Sequence, residues 1–331
     1  MISIIIPTYN VEAYINECLN SLVNQTIDKS KFEIVVVDDC STDNTLSMLS
    51  NFKKLKNLLI LSNAKNEGPG QARNKAIKHA KGEYLFFLDA DDLIVANGLA
   101  IIDAYITTHA VDMLIYNWID YDHYINHIQN TSMHKYNLPT NRSEAISMCI
   151  GLKNIDYTNN YKLIRASVFV DNGLSYPSGL HEDILLTLQF HYFSTSTHLI
   201  DDIIYIRRSI RENSTMNTFT PEHIDGLLNA WSAMLTFAKN NATRAEFKQY
   251  LRFFYSGMSG VIANIIRKIN TVDNELERSR LSQFLIEKLS DKAKLFLDEF
   301  NDFPVKSAKD KMTINFLNSI LIEHCQANDY E

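Results

Sequence analysis

Cysteine is scarce in this sequence, and what there is lies scattered. Cys18, Cys40, Cys149 and Cys325, in 331 residues, form no C-x-x-C pair and no metal-finger spacing. That pattern argues against a cysteine-held zinc centre and reads as reduced thiols in a cytosolic protein. Positive charge is in deficit. With 32 Lys and Arg against 39 Asp and Glu, the formal net charge is -7, so nothing at whole-chain level attracts nucleic acid. A diphosphate ligand would need local cations or a metal. Long hydrophobic runs are missing too: no uninterrupted apolar stretch reaches the roughly 20 residues of a bilayer-spanning helix, which leaves peripheral membrane contact as the expectation. The opening residues MISIIIPTYN carry no basic segment and no small-residue cleavage site, and do not read as a signal peptide. No internal repeat or low-complexity tract is present.

What remains is an ordinary globular composition, 46% hydrophobic and 21% charged. Residues 2–6 form a nearly continuous apolar run stopped by Pro7, the pattern of a parallel strand covered on both faces. Tyr14, Ile15, Cys18, Leu19, Leu22 and Val23 stand at helical spacing within residues 12–25. Strands are expected over 32–37, 58–61 and 84–88. Helices are expected between them, over 42–52 (capped by Ser41 or Thr42) and 70–80. This β-α-β-α-β-α-β order predicts an α/β fold with an open, mostly parallel sheet and helices on both faces. From 97 to 205 the pattern is mixed, with helices near 98–108 and 143–151, another beginning near Glu182, and strands near 113–118 and 198–206. After Pro221 the strand signal fades. Phe247, Leu251, Phe254, Met258, Val261, Ile262 and Ile265 mark one amphipathic helix. Phe284, Leu285 and Leu289, then Phe316, Leu317, Ile320 and Leu321, mark at least two more. The expected organisation is an α/β domain over 1–220 and a helical region over 221–331.

In open α/β sheets ligands bind beyond the carboxyl ends of the strands, and polar residues gather there strand after strand. Pro7-Thr8-Tyr9-Asn10 follows the first strand, Asp38-Asp39-Cys40-Ser41 the second, Asn63 and Asn66-Glu67-Gly68 the third, and Asp89-Ala90-Asp91-Asp92 the fourth. Four such ends converging on one rim imply a pocket. Asp89-Ala90-Asp91 at a strand-to-loop turn offers hard oxygen ligands suited to Mg²⁺ or Mn²⁺. Such an ion would neutralise a diphosphate leaving group. Asp38 or Asp39 could accept the imide N–H of a uracil ring; Asp38 is favoured and the choice stays open. Gly68-Pro69-Gly70-Gln71-Ala72-Arg73 resembles a dinucleotide loop only briefly, since Arg73 stands where the third glycine belongs. Arg73 either reaches back to the pocket or is a surface arginine. His181-Glu182-Asp183 precedes an apolar stretch; it is a candidate general base or merely the acidic first turn of a helix. Arg207, Arg208 and Arg211 form the densest cationic cluster, either an anion clamp or a solvated loop.

Taken in order, ISIIIPTYN, VVVDDCSTDNT, NEGPGQARNKAI, GEYLFFLDADD and HED resemble family 2 glycosyltransferases of the GT-A fold, over residues 1 to about 215. The resemblance implies an inverting transfer from a nucleotide-sugar, usually UDP-linked, to an acceptor hydroxyl. It implies base and ribose contacts from Pro7, Thr8, Tyr9 and Asp38, and nucleotide-side contacts from Asn66, Gly68 and Arg73. It further implies a ribose or sugar contact from Asp89, a metal ligand in Asp91, and Asp183 as general base with Glu182 beside it. The Q-x-x-R-W sequence of processive membrane-embedded members is absent. The 207–211 segment is similar to the basic segment of bacterial wall-teichoic-acid and capsule glycosyltransferases. The acceptor is then expected to be a glycan, teichoic acid or lipid-linked chain, met in the cytoplasm or at the inner face of the membrane. Residues 221–331 would serve acceptor binding, oligomerisation or membrane contact. Two other classes stay open: a catalytically inactive sugar-nucleotide-binding module, against which Asp91 and Asp183 weigh, and a nucleotidyltransferase, against which the Pro7–Asn10 loop weighs.

Overall fold

The computed structural model describes residues 1–122, 127–132, 142, 144–145, 158–208, 219–247, 261–262 and 264–298. The chain divides into two compact units, Met1–Thr140 with Asp156–Glu212, and Asn141–Ile155 with Asn213–Glu331.

The first unit is built on one sheet. Its elements, in chain order, are β1 (Ile2–Thr8), α1 (Ile15–Val23), β2 (Phe32–Asp38), α2 (Thr45–Ser50), β3 (Leu58–Ser62), α3 (Pro69–His79), β4 (Tyr84–Phe87), β5 (Leu93–Ile94), α4 (Gly98–Thr108), β6 (Met113–Asp122), β7 (His127–Ser132), β8 (Lys162–Arg165), α5 (Ala166–Asp171), α6 (Asp183–Phe193) and β9 (Thr197–Arg208). The strand order is β3-β2-β1-β4-β8-β6-β9-β5, with β7 also on β6. β3, β2, β1 and β4 are all parallel, as their continuous apolar sequences require. Beyond them the sheet turns mixed: β8 is antiparallel to both β4 and β6, β9 is parallel to β6, and β5 is antiparallel to β9.

Both faces are covered by helices. Ile2, Ile4 and Ile6 pack on one side with Ile15, Cys18, Leu19 and Leu22 of α1 and Leu99 and Ile102 of α4. Ile5, Val35 and Val37 pack on the other with Ala72 and Ala76 of α3 and Leu186 and Phe190 of α6. Alternation along a pleated strand sends neighbours to opposite faces, and here both faces are apolar. Register then fixes the rim: Thr8 lies beside Asp38, and Asp38 beside Ser62.

Several boundaries differ from expectation. α2 begins at Thr45 rather than 42, because Asp43 accepts the Thr45 N–H at 2.9 Å and Asn44 takes the cap position. β5, β7, β8 and α5 were not anticipated. The helix expected over 143–151 falls almost entirely outside the described residues, as do Arg211, Leu251, Phe254, Met258, and Phe316 to Leu321.

In the second unit α7 (Pro221–Asn241) opens with a reciprocal cap between Thr220 and His223 and a proline in its first turn. Ile224, Leu228, Trp231, Leu235 and Ala238 line its buried stripe. α8 (Glu275–Asp298) packs on α7, with Lys288 paired to Asp225 at 3.9 Å, and Leu281, Leu285 and Leu289 along it are buried. No helix among the described residues is long and apolar enough to cross a membrane.

Candidate active site

The carboxyl ends of β1, β2 and β3 are tied into one wall. The loop after β1 and the loop before α2 exchange hydrogen bonds in both directions. Asn10 N–H donates to Ser41 Oγ (3.1 Å), and Thr42 N–H to Asn10 Oδ1 (2.8 Å). Val11 N–H donates to Thr45 Oγ1 (2.8 Å), and Asn44 N–H to Glu12 Oε2 (2.8 Å). Asn10 and Cys40 take positive φ, at 50° and 65°, to make these turns. Thr8, at the end of β1, donates its hydroxyl to the Val37 carbonyl. Pro7 is half-buried, while Tyr9 is exposed at the rim.

The two aspartates at the end of β2, Asp38 within it and Asp39 just beyond, have different surroundings. Asp39 accepts from Asn63 Nδ2 (2.7 Å), Glu67 N–H (3.0 Å) and Gly68 N–H (2.7 Å), so it holds the loop leading into α3. Asp38 accepts only the Ser41 N–H on Oδ2, at 3.3 Å; its buried Oδ1 accepts no hydrogen bond among the described residues. A buried carboxylate oxygen without a donor is costly, and a ligand donor would relieve it. Asn66 and Gly68 shape the turn into α3: Gly68 N–H also donates to Asn66 Oδ1 (3.0 Å), and Gly68 sits at φ 88°, where a side chain is disfavoured.

Arg73, on α3, is buried and turned inward. Its Nη1 donates to Glu182 Oε1 at 2.7 Å and its Nη2 to Asp89 Oδ1 at 2.8 Å, with the guanidinium 5.5 Å from the Tyr176 ring centroid. One side chain thus joins the loop after β4 to the residue that precedes α6. α3 comes close enough for this because Gly70 lacks a side chain: a Cβ there would lie 2.8 Å from Glu182 Cγ. Asp89 also accepts from Asn160 Nδ2 on its other oxygen, at 2.7 Å.

Asp89, Asp91 and Asp92 each place one carboxylate oxygen within 4.8 Å of the others. Asp92 is committed to the protein, accepting the Tyr205 hydroxyl (2.6 Å) and the Arg208 N–H (2.7 Å). Burial first, then the charges of Asp91 and Asp89, push its carboxyl well above the usual range. Carboxylates this close together suit a divalent cation, which Asp91 would hold with Asp89, whose two oxygens also accept from Arg73 and Asn160.

Asp183 is the first residue of α6 and is half-buried; its carboxylate makes no ion pair or side-chain hydrogen bond among the described residues. Burial first, and Glu182 second, push its carboxyl up to about 7, while Arg73 pulls it down. Glu182, expected beside the base, is there but locked in its ion pair with Arg73.

For Arg207 and Arg208 the sequence left an anion clamp and a solvated loop as alternatives, and both side chains have partners inside the protein. Arg207 forks onto Asp120 at 2.6 and 3.0 Å. Arg208 is buried, donating to the Asp91 carbonyl (2.9 Å) and to Glu17 (2.9 Å) between the rings of Tyr14 and Tyr121. Its geometry braces the loop after β4 rather than presenting a charge to solvent.

The model of glycosyl transferase family 2 matches residues 3–173, and the chain belongs to that family. Its fold is GT-A. A poly(ribitol-phosphate) beta-N-acetylglucosaminyltransferase of Staphylococcus aureus, TarS, is 34% identical over 222 residues, 65% of this chain and 37% of that protein. A poly(ribitol-phosphate) beta-glucosyltransferase of Bacillus spizizenii is 52% identical over 100 residues, 30% of this chain and 16% of that protein. The chain therefore spans well under half the length of these curated relatives. A crystal structure of S. aureus TarS 1–349 in complex with UDP-GlcNAc matches with a TM-score of 0.69 at 25% identity, covering 98% of this chain and 92% of that one.

Proposed function

We propose that this chain is an inverting glycosyltransferase that moves a sugar from a UDP-sugar to an acceptor hydroxyl during bacterial surface-glycan synthesis. The observation that carries the reading is the double ion pair of Arg73, which puts the carboxylate loop after β4 and the start of α6 at the two ends of one guanidinium. Donor chemistry and base chemistry then share one site.

Asp38, with its unmatched buried oxygen, takes the uracil imide N–H, and Tyr9, Thr8 and Pro7 flank base and ribose. Asn66 and Gly68 shape the neighbouring loop, and Arg73 acts on the nucleotide side through Asp89. Asp91, with Asp89, would hold Mn²⁺ or Mg²⁺. When bound, that ion supplies charge neutralisation for the departing diphosphate. Asp183 takes the acceptor hydroxyl's proton as the new bond forms on the face opposite the leaving group. Arg207 and Arg208 act through the loops they brace.

The names of the relatives support UDP-GlcNAc or UDP-glucose as donor and a poly(ribitol-phosphate) chain as acceptor. The reading assigns catalysis to residues 1–220 and acceptor binding, self-association or peripheral membrane contact to 221–331, at the cytoplasmic face of the membrane. An inactive binding module would have no use for a half-buried, unpaired Asp183. Thermal-shift screening against UDP-sugars with and without Mn²⁺ tests the proposal. Binding to the native state raises the melting temperature; UDP and at least one UDP-sugar are expected to raise it when Mn²⁺ is present. No shift from any UDP species would remove the reading.

A further inference from the structure

Two adjacent asparagines just before β8 are buried, with 2% of Asn159 and 7% of Asn160 exposed. β8 runs antiparallel beside β4, so the segment that leads into it passes close to the loop carrying Asp89. The two side chains diverge. Asn160 Nδ2 donates to Asp89 Oδ2 at 2.7 Å. Asn159 Nδ2 donates to the Tyr176 hydroxyl at 2.9 Å, and its Oδ1 accepts the hydroxyl of Thr187 on α6 at 3.3 Å. Tyr176 in turn lies under the guanidinium of Arg73. The backbone between them is pinned: Tyr116 donates its hydroxyl to the Asn160 carbonyl at 2.9 Å, and Asn160 N–H donates to Thr158 Oγ1 at 3.2 Å.

Burying an amide is unfavourable unless its hydrogen bonds are made, and an apolar pair could have filled the same space. What the amides do here is hold a carboxylate on one side and a helix on the other. Asp89 is gripped from both sides, Arg73 on Oδ1 and Asn160 on Oδ2, which fixes its rotation and leaves a lone pair on each oxygen.

We infer that Asn160 is a positioning residue that fixes the Asp89 carboxylate for the donor, while Asn159 positions α6, the helix that carries Asp183. The inference rests on the proposed UDP-sugar reading of the site. Loss of a hydrogen-bond partner to a ligating carboxylate typically costs about 10- to 100-fold in affinity. Asn160→Ala is therefore expected to weaken UDP binding in Mn²⁺ by about that factor, measured by calorimetry on the full chain. Asn159→Ala is expected to leave UDP affinity within about twofold of the wild type and to lower kcat.

A double-mutant cycle separates positioning from general destabilisation. In an Asp89→Asn background, Asn160→Ala should cost little further UDP affinity, because the group it positions is already altered. Asn160→Ser serves if the alanine variant does not fold. Full UDP affinity in folded Asn160→Ala, or an equal loss with Asp89→Asn present, would overturn the inference alone. A wild-type chain that binds no UDP would overturn the proposed function and this inference with it.

Discussion

At the first residue of α6 the Asp183 carboxyl is pushed up to about 7, and the proposed function gives it the acceptor hydroxyl's proton. Burial is the main cause, and the neighbouring Glu182 charge adds to it. A base tuned close to working pH combines a useful ionised fraction with proton affinity. The account predicts that kcat/KM rises about tenfold per pH unit below 7 and levels above it, and that Asp183→Asn keeps UDP binding while losing turnover. Stability should move the other way. A carboxyl whose pKa is higher in the folded than in the unfolded chain stabilises the fold most below about pH 4, and that contribution is lost as pH rises through about 7. Asp183→Asn should accordingly raise the melting temperature at pH 8.5, by the equivalent of about 1–2 kcal/mol after solvent screening, and lose that gain by pH 4. A melting curve recorded at both pH values checks the sign. Asp38 and Asp91 stood out in the sequence because acidic residues at the ends of apolar strands are conspicuous, whereas Asp183, which precedes its apolar stretch, stood out only through the resemblance of His181-Glu182-Asp183 to the family motif. Asn159 and Asn160 did not, since two neutral amides in a loop carry no such mark. The pairing of Arg208 was illegible for another reason: its partner Glu17 is 191 residues away, so a basic cluster read locally looks like an anion site.

Among the elements, α3 governs how the site closes. Gly70 sits where a Cβ would meet Glu182 Cγ at 2.8 Å, Tyr176 Cβ at 3.0 Å and the Pro177 carbonyl at 3.1 Å. Gly70→Ala should push α3 away from the 176–182 segment, costing about 1–3 kcal/mol as overpacking and loosening the Arg73 bridge. A lowered denaturant midpoint with unchanged m-value would register it. α1, α3, α4, α6 and strands β1 to β4, β6 and β9 follow from hydrophobic period and run length. β5 has two residues and β8 four, too short for a period to declare itself. They form because the sheet already offers edges to pair with. The switch from a parallel to a mixed sheet at β8 depends on that pairing, so strand direction there could not be read from the strand's own residues.

For the molecule as a whole, charge sets a constraint. The net charge is -7, and the rim gathers Asp38, Asp89, Asp91 and Asp92. An acidic rim repels a diphosphate unless a cation intervenes, so donor binding should depend on metal even before any chemistry occurs. Arg73 and Arg208, whose charge would otherwise serve in place of a metal, are drawn inward to carboxylates and backbone. The sequence made the rim legible through the polar ends of four apolar runs, whereas the internal pairing that removes those arginines from solvent emerged only with the fold. The central claim is that strand ends distant in sequence form one metal-dependent nucleotide site. Calorimetric titration of UDP in Mn²⁺ into the wild type, Asp38→Ala and Asp91→Ala tests it most directly. The account predicts binding by the wild type, lost on chelation and weakened about tenfold or more in each variant; unchanged affinity in both variants would contradict it.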